Sequence, residues 1–488
     1  MFIMPFNRLW NWLLSIAVVG YGFAGSLQAQ SVPLALSHSL SAEAPKRAPR
    51  SDDPGLTVDS LPEALRAAWS TEARILEAQS VASASGFDVD AARTGFFPFA
   101  TIGANQSEDG DTFTSVRIVQ PLWNGGFTRA EVDGAQQAER AAIAEIEMAR
   151  LEVGREVLEA YFELLSAETQ EEQWTRHIAT LQRLVGVIRR RAEEGVAPEA
   201  DVQTAVSRIR QAEAGREVSR AASATQRAEL ARLMSREPGD VRWPSLASQL
   251  SPAEQAGAND RRILERHPQL VAAEALIAQQ AAEERRQRAA IWPELQLQYR
   301  VDVEGVRTSQ QDGALLVLEY QTGNGLRGIR SAQAEAQRTR AAAQRRLQAR
   351  QEVITRLRVV RAELVAAVAQ RRSQAAAVAA TDVLLDSFLR QFEVGRKSWV
   401  EVLNASREAN DTRLQAVAAE SQYWLANATL ALESLRWSAP RTTALRRRRF
   451  RFWSRRATTP SSLSNPSSFL RTKGRAHEKS NRRQSPAR

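Results

Sequence analysis

The sequence predicts a mostly α fold with a small β part. It is an internally duplicated chain, three copies of which form a 12-stranded transmembrane β-barrel continuous with a long α-helical coiled-coil tunnel. Three observations predict it. Two stretches roughly 200 residues apart repeat one script: a short strand pair, a very long Ala/Arg/Gln/Glu helix, a glycine turn and a second helix. Leu122-Trp123-Asn124-Gly125-Gly126 aligns with Gln321-Thr322-Gly323-Asn324-Gly325, and Gly195 before Asp201-Val202 aligns with Gly395 before Glu401-Val402. The tracts Phe127–Glu193 and Leu326–Glu393 contain no proline. Finally, Leu295, Leu297, Tyr299, Val301 and Val303 alternate without error against Gln296, Gln298, Arg300, Asp302 and Glu304.

The N-terminus reads as a secretory signal over residues 1–29. Asn7-Arg8 is its basic start, Leu13 to Phe23 its apolar core, and Leu27-Gln28-Ala29 its cleavage site. Residues 30–55, rich in Ser, Pro and Ala, form a flexible leader. With no cysteine in the chain there is no disulfide, thiol nucleophile or N-terminal lipid anchor. No later segment offers the ~20 apolar residues of a spanning helix, so a membrane-embedded form must be a β-barrel. The net charge of +10 belongs to the C-terminus: residues 441–488 hold 15 Lys and Arg against one Glu, leaving about −4 for the rest.

The first repeat occupies residues 56–240. A helix runs from Leu61 to about Thr94, capped by Asp59 or Ser60 with Pro62 in its first turn. Phe96-Phe97-Pro98-Phe99 ends it and opens a strand to Asn105; 108–111 turn the chain, and Thr112–Gln120 returns. A helix from Phe127 to Glu193, a turn at Gly195-Val196-Ala197-Pro198 and a helix from Glu199 to Met234 follow. The second repeat, 241–437, places helix over 252–290 with a break at His267-Pro268, strands at Glu294–Glu304 and Ala314–Gln321, then helices Leu326–Glu393 and Val400–Leu435. Residues 438–488 form a basic disordered tail.

Lengths set the assembly. At ~1.5 Å per residue, a helix of roughly 67 residues is about 100 Å long, over three times a bilayer core of ~30 Å. It must pack along partner helices. Its hairpin mate of about 36 residues requires the helix of about 34 residues before the strands to stack on it end to end. Four strands cannot close a transmembrane barrel, since single-chain examples begin at about 8. Two copies would give a filled interior, and three copies leave room for a channel.

Further residues carry a family resemblance. Phe392-Glu393-Val394-Gly395-Arg396-Lys397-Ser398-Trp399-Val400-Glu401-Val402-Leu403-Asn404-Ala405 resembles the second helical-hairpin tip of the TolC-type outer-membrane efflux proteins. Glu194–Val202 resembles the first tip, and Pro121-Leu122-Trp123-Asn124-Gly125-Gly126 the start of the family's long helix. The resemblance covers about residues 56–437. It implies a homotrimer in the outer membrane of a Gram-negative bacterium, in contact with its lipid, with a tunnel reaching through the periplasm. It also implies a periplasmic adaptor (membrane fusion protein) and an inner-membrane ABC or other pump, both docking at the tips around Gly195 and Gly395. The run Tyr320-Gln321-Thr322-Gly323-Asn324-Gly325 looks closer to members serving type I protein secretion than to drug-efflux members. By position, the family's aspartate ring corresponds to Glu401 and its second acidic ring to Asn404. Its latch arginine corresponds to Lys397 beside Arg396, its latch tyrosine to Phe392, and its first-tip aspartate to Asp201. The alternating strand then faces lipid through Leu295, Leu297, Tyr299, Val301 and Val303.

Other readings are weaker. Gly323-Asn324-Gly325-Leu326-Arg327-Gly328 is a literal G-x-G-x-x-G, but no second parallel strand follows within ~30 residues, so it serves a bend rather than a dinucleotide. The scattered His38, His177, His267 and His477 make no metal cluster, and no nucleophile–base set is present; neither an enzyme nor a cofactor is expected. The basic aromatic patch from Arg446 to Arg456 suits a membrane surface better than nucleic acid, and no specific nucleic acid is expected. A purely periplasmic coiled-coil adaptor would keep the hairpins but would not need the Leu295–Val303 alternation.

Overall fold

The computed structural model describes residues 58–106, 112–244, 257, 260–304, 313–320 and 325–437. The expected signal segment, leader and tail lie outside them, as do the 108–111 turn and 321–324. Ser60 opens the first helix as the sequence predicts. Its backbone N–H and its hydroxyl both donate to Glu63 Oε2, at 3.0 and 2.8 Å, and Pro62 occupies the first turn, where a missing N–H is harmless.

The expected single helix over Leu61–Thr94 is two. After α1 (Leu61–Thr71) the backbone turns extended at Glu72 (φ −65°, ψ 128°), and α2 (Ala73–Thr94) starts anew. Packing is the reason. Trp69 donates its indole N–H to the Arg150 carbonyl at 3.0 Å, while Arg74 forks onto Glu156 at 2.7 and 2.5 Å. The break lets α1 lean across two long helices while α2 runs along one. A further element is not legible in the sequence: β1 (Val58–Asp59) pairs in parallel with β4 (Asp240–Val241), joining the two ends of the first repeat.

The remaining elements follow the predicted order. The first half continues with β2 (Phe99–Gln106), β3 (Thr112–Trp123), α3 (Phe127–Glu193) and α4 (Glu199–Met234). The second half has α5 (Asp260–Arg266), α6 (Pro268–Ala289), β5 (Glu294–Glu304), β6 (Gly313–Glu319), α7 (Gly325–Glu393) and α8 (Trp399–Glu433). The predicted break at His267-Pro268 is present, but the expected helix starts only at Asp260, and Gly257 turns at φ +91° instead of joining it; residues 252–256, 258 and 259 lie outside the described set.

The long helices form a wall four lanes wide. α3 packs against α2 and α4 on one side and α6 and α8 on the other; α7 packs against α6 and α8. The lanes are therefore α2 with α4, then α3, then α6 with α8, then α7. Two shorter helices share each lane beside a continuous one of 67 or 69 residues, as the mismatch in helix length requires. No helix among the described residues is long and apolar enough to cross a membrane.

The core sits where α1, α3, α4, α7 and α8 meet. Tyr161, Phe162, Leu158, Leu164, Leu230, Leu233 and Leu430 are almost completely buried there. Phe162 stacks on Trp243, ring centroids 6.4 Å apart, and the Tyr161 hydroxyl donates to the Arg242 carbonyl at 2.8 Å. These contacts pin the segment after β4 to α3.

Candidate functional site

Two ends of the molecule carry the predicted functional residues: the helical hairpin tips and the strand sheet. Each tip is built by its backbone. Gly195 (φ +76°) and Gly395 (φ +72°) adopt the left-handed conformation that side-chain-bearing residues disfavour. The following residue then closes the helix end. Val196 N–H donates to the Arg191 carbonyl at 2.8 Å, and Arg396 N–H to the Gln391 carbonyl at 2.9 Å. This six-to-one bond satisfies carbonyls that would otherwise be orphaned. A Cβ at either glycine would meet nothing within 4 Å. The requirement is therefore one of backbone angle, and Gly395→Ala should cost about 1–2 kcal/mol. Faster amide exchange at Arg396 would report it; unchanged protection would show that the turn tolerates the methyl.

Past the turn, the second tip holds a compact charge cluster. Lys397 Nζ donates to Glu401 Oε1 at 2.6 Å, while Glu401 Oε2 accepts from the Ser398 backbone N–H at 3.0 Å and from its hydroxyl at 2.9 Å. Ser398 is thus an N-cap with a capping box closed by Glu401. The Lys397 ammonium, followed by the two Ser398 donors, holds the Glu401 carboxyl down to about 2. Glu401 is therefore ionised throughout the physiological range. The two residues that the resemblance placed in a ring and in a latch are partners within one copy. Their i, i+4 spacing is the sequence signal for this pairing. Lys397 also stands over the Phe388 ring, 4.6 Å from its centre.

Phe392 is buried, with the Arg191 guanidinium 4.4 Å above its ring. It belongs to a small core with Leu184, Ile188, Val202, Val402 and Leu403, which joins the two tips to each other. Asn404 and Arg396 are exposed and Asp201 is half-buried. Asp201 contributes its backbone N–H to the Pro198 carbonyl at 3.0 Å.

Higher in the wall, His177 of α3 lies 6.1 Å from the Trp174 ring and is buried. Burial, helped by the nearby Arg413 charge, pushes its imidazole down to about 4. A base whose folded value lies below its unfolded one binds protons more readily when unfolded. The stabilisation from neutral His177 is complete above about pH 6.5 and drains away as pH falls towards about 4. His177→Gln should flatten that part of a stability–pH profile measured by thermal unfolding.

At the other end, β2, β3, β5 and β6 form one antiparallel sheet in that order. The register makes its two faces distinct. Leu295, Leu297 and Tyr299 pair with Leu318, Leu316 and Ala314, and Tyr299 pairs with Ile118, which lies opposite Ala100. Paired residues share a face, so this side is largely apolar, with Gln120 opposite Leu297 as its polar exception. Leu297, Tyr299, Leu316 and Leu318 are all exposed on it. The opposite face carries Gln296, Gln298, Arg300 and Arg117, interleaved with Val119, Leu315 and Val317 from the neighbouring strands. Val301 and Val303 stand on β5, but their side chains lie outside the described set.

Sequence reasoning misses a band of aromatics where the strands meet the helices. Phe96, Phe97, Phe99, Trp123, Trp292 and Tyr320 are all more than 45% exposed there. Trp123 and Trp292 touch edge to face at 6.5 Å. In the sequence, Phe96-Phe97-Pro98-Phe99 reads as a helix end and strand start; the recurrence of an aromatic-proline pair at Trp292-Pro293, the same place in the second half, is the signal that could have found the band. Gly125 (φ +63°) fits beneath Trp292, where a Cβ would come within 2.8 Å of the Trp292 Cβ.

Known proteins share this geometry. The outer membrane efflux protein family matches residues 65–236. A membrane protein from Pseudomonas aeruginosa shares the fold with a TM-score of 0.66 at 18% identity, covering 78% of this chain and 91% of that one. The outer membrane protein VceC from Vibrio cholerae does so at 0.62 and 16%, covering 77% and 95%. The MtrE outer membrane channel of Neisseria gonorrhoeae, solved in its open state, gives 0.62 and 18%, covering 77% and 88%. No curated protein matches the sequence. The match to the outer membrane efflux protein family thus spans most of the first repeat, and the fold of these channels extends over both.

Proposed function

We propose that three copies of this chain assemble into an exit duct of a Gram-negative outer membrane. Twelve strands close a barrel in the lipid, and the helical walls close a tunnel below it in the periplasm. The duct is passive: a periplasmic adaptor docks at the tips and an inner-membrane pump supplies the energy. The observation that carries this reading is that a single copy leaves both edges of its wall open. β2 and β6 are edge strands whose outward N–H and C=O groups need partners in a bilayer. On α7, exposed Ile329, Leu347, Val365 and Val383 recur every 18 residues, or five turns, and so line one outer edge of the wall. In a closed ring of three, each copy's two edges meet the edges of its two neighbours. The apolar sheet face then meets lipid, and the exposed aromatics sit at the membrane–water boundary. An adaptor confined to the periplasm would have no use for either surface.

Detergent-dependent solubility and a trimer that dissociates only on heating are the expected behaviour; a soluble monomer in buffer would overturn the proposal. Three Glu401 carboxylates around the axis would favour cations at the narrow end. Glu401→Ala should therefore lower cation selectivity in planar-bilayer recordings, and unchanged selectivity would place the selective ring elsewhere. For the cargo, the run from Tyr320 to Gly325 supports type I protein secretion. A strain lacking the chain should fail to release a protein substrate of an ABC exporter while keeping its resistance to dyes. The reverse pattern would assign small-molecule efflux.

A further inference from the structure

A cleft of about 110 Å³ opens about three helical turns beyond the tips, where α4 and α8 flank α3 without closing on each other. Trp174, Leu181, Ala212 and Leu403 give it an apolar inner wall, and Arg208, Gln211, Arg407 and Asp411 stand around it. Asn410 also borders the cleft. It is 1% exposed, and its amide nitrogen has no hydrogen-bond partner. A buried amide left this way loses its hydration without compensation, so native structures rarely keep one without a ligand or ordered water.

The charges around the cleft also favour an anion. Several arginines on these helices pair with a carboxylate three or four residues away, as Arg210 does with Glu213 at 2.8 Å. Neither Arg407 nor Asp411 makes an ion pair among the described residues, and Arg208 reaches only the neutral Gln211, at 2.9 Å. His177, the remaining titratable group of the lining, is uncharged near neutral pH. Arg413, which is close enough to influence it, is already bonded to Asp382 at 2.6 Å. Two guanidinium groups against one carboxylate leave the cleft net positive.

We propose that this cleft binds a carboxylate, held by Arg208, Arg407 and the buried Asn410 amide, with its carbon stub against Trp174 and Leu403. The apolar wall selects a carboxylate over a fully hydrated oxyanion such as phosphate. Arg407 and Asn410 are three residues apart on α8 and so share one face, while Arg208 approaches from α4. All the lining belongs to one copy, between lanes rather than at an outer edge of the wall, so the site does not depend on the trimer. The carboxylate is either a free small acid or the side chain of an acidic residue on a helix laid in the groove.

Titration calorimetry on the detergent-solubilised full chain at constant ionic strength tests this with two probes, acetate and N-acetylglutamate amide. Saturable binding of both supports the site and admits a side-chain carboxylate. Binding of acetate alone supports the site for free acids only. Arg208→Gln with Arg407→Gln should weaken either interaction at least about tenfold. Asn410→Leu, which removes the unpartnered amide, should abolish binding while leaving the thermal midpoint unchanged or higher. Absence of saturation with both probes, or variants that bind as the parent does, would overturn the proposal.

Discussion

Phe162→Ala should destabilise the protein by about 3–5 kcal/mol, the cost of emptying a large aromatic site in a close-packed core. Phe162 is fully buried in the core between the lanes. It stacks on Trp243 and meets Tyr161 edge to face at 5.5 Å. Its backbone carbonyl accepts from the buried Ser421 hydroxyl of α8 at 2.9 Å, holding two lanes at fixed height. Alanine would leave a cavity that two continuous helices are too stiff to fill, and Trp243 would lose its stacking partner. Thermal unfolding should show a large drop in midpoint with unchanged helix content at low temperature. A loss no greater than that of an exposed substitution such as Val218→Ala would mean that this region is not the load-sharing core.

Leu297→Arg should impair membrane assembly by about 2–4 kcal/mol, the cost of an arginine on the lipid face near a barrel's midplane. The sheet register supplies a matched control. Gln298 is the next residue on β5 and points to the opposite face, beside the Gln296 amide at 3.3 Å, with Val119 and Leu315 across the strands. Gln298→Arg places the same charge at the same depth, yet should leave assembly nearly unchanged. Recovery of heat-dissociable trimer from outer-membrane fractions compares the two. Equal recovery would mean that the sheet's apolar face does not meet lipid.

The helical skeleton is legible in the sequence for a simple reason. Tracts such as Phe127–Glu193 and Glu199–Met234 lack proline and end at a turn that must adopt positive φ, and their observed limits match those expected. The alternation over Glu294–Glu304 is equally clear because a strand exposed on both sides has a strict period of two. What stays hidden depends on tertiary contacts. The break at Glu72 follows from Trp69 and Arg74 reaching different parts of α3, and nothing local disfavours helix there. β1 and β4 are two residues each, too short for any period. At the candidate site, the resemblance assigns roles one residue at a time. It therefore separates Lys397 from Glu401, which the geometry joins, and treats Phe392 as a gate residue where it is part of a core.

The matching tips have a consequence for how such a molecule can diversify. Val196-Ala197 and Arg396-Lys397 occupy equivalent places in two turns closed by the same backbone bond. Folding asks only for the glycine before them. Apart from the Lys397–Glu401 pair, the side chains presented at the far end are thus nearly free of structural obligation, like interchangeable keys cut on one blank. One tip can be rewritten to suit a new partner while its twin preserves the old contact, and exchanging the two dipeptides between tips should leave the wall standing while altering which partner it accepts.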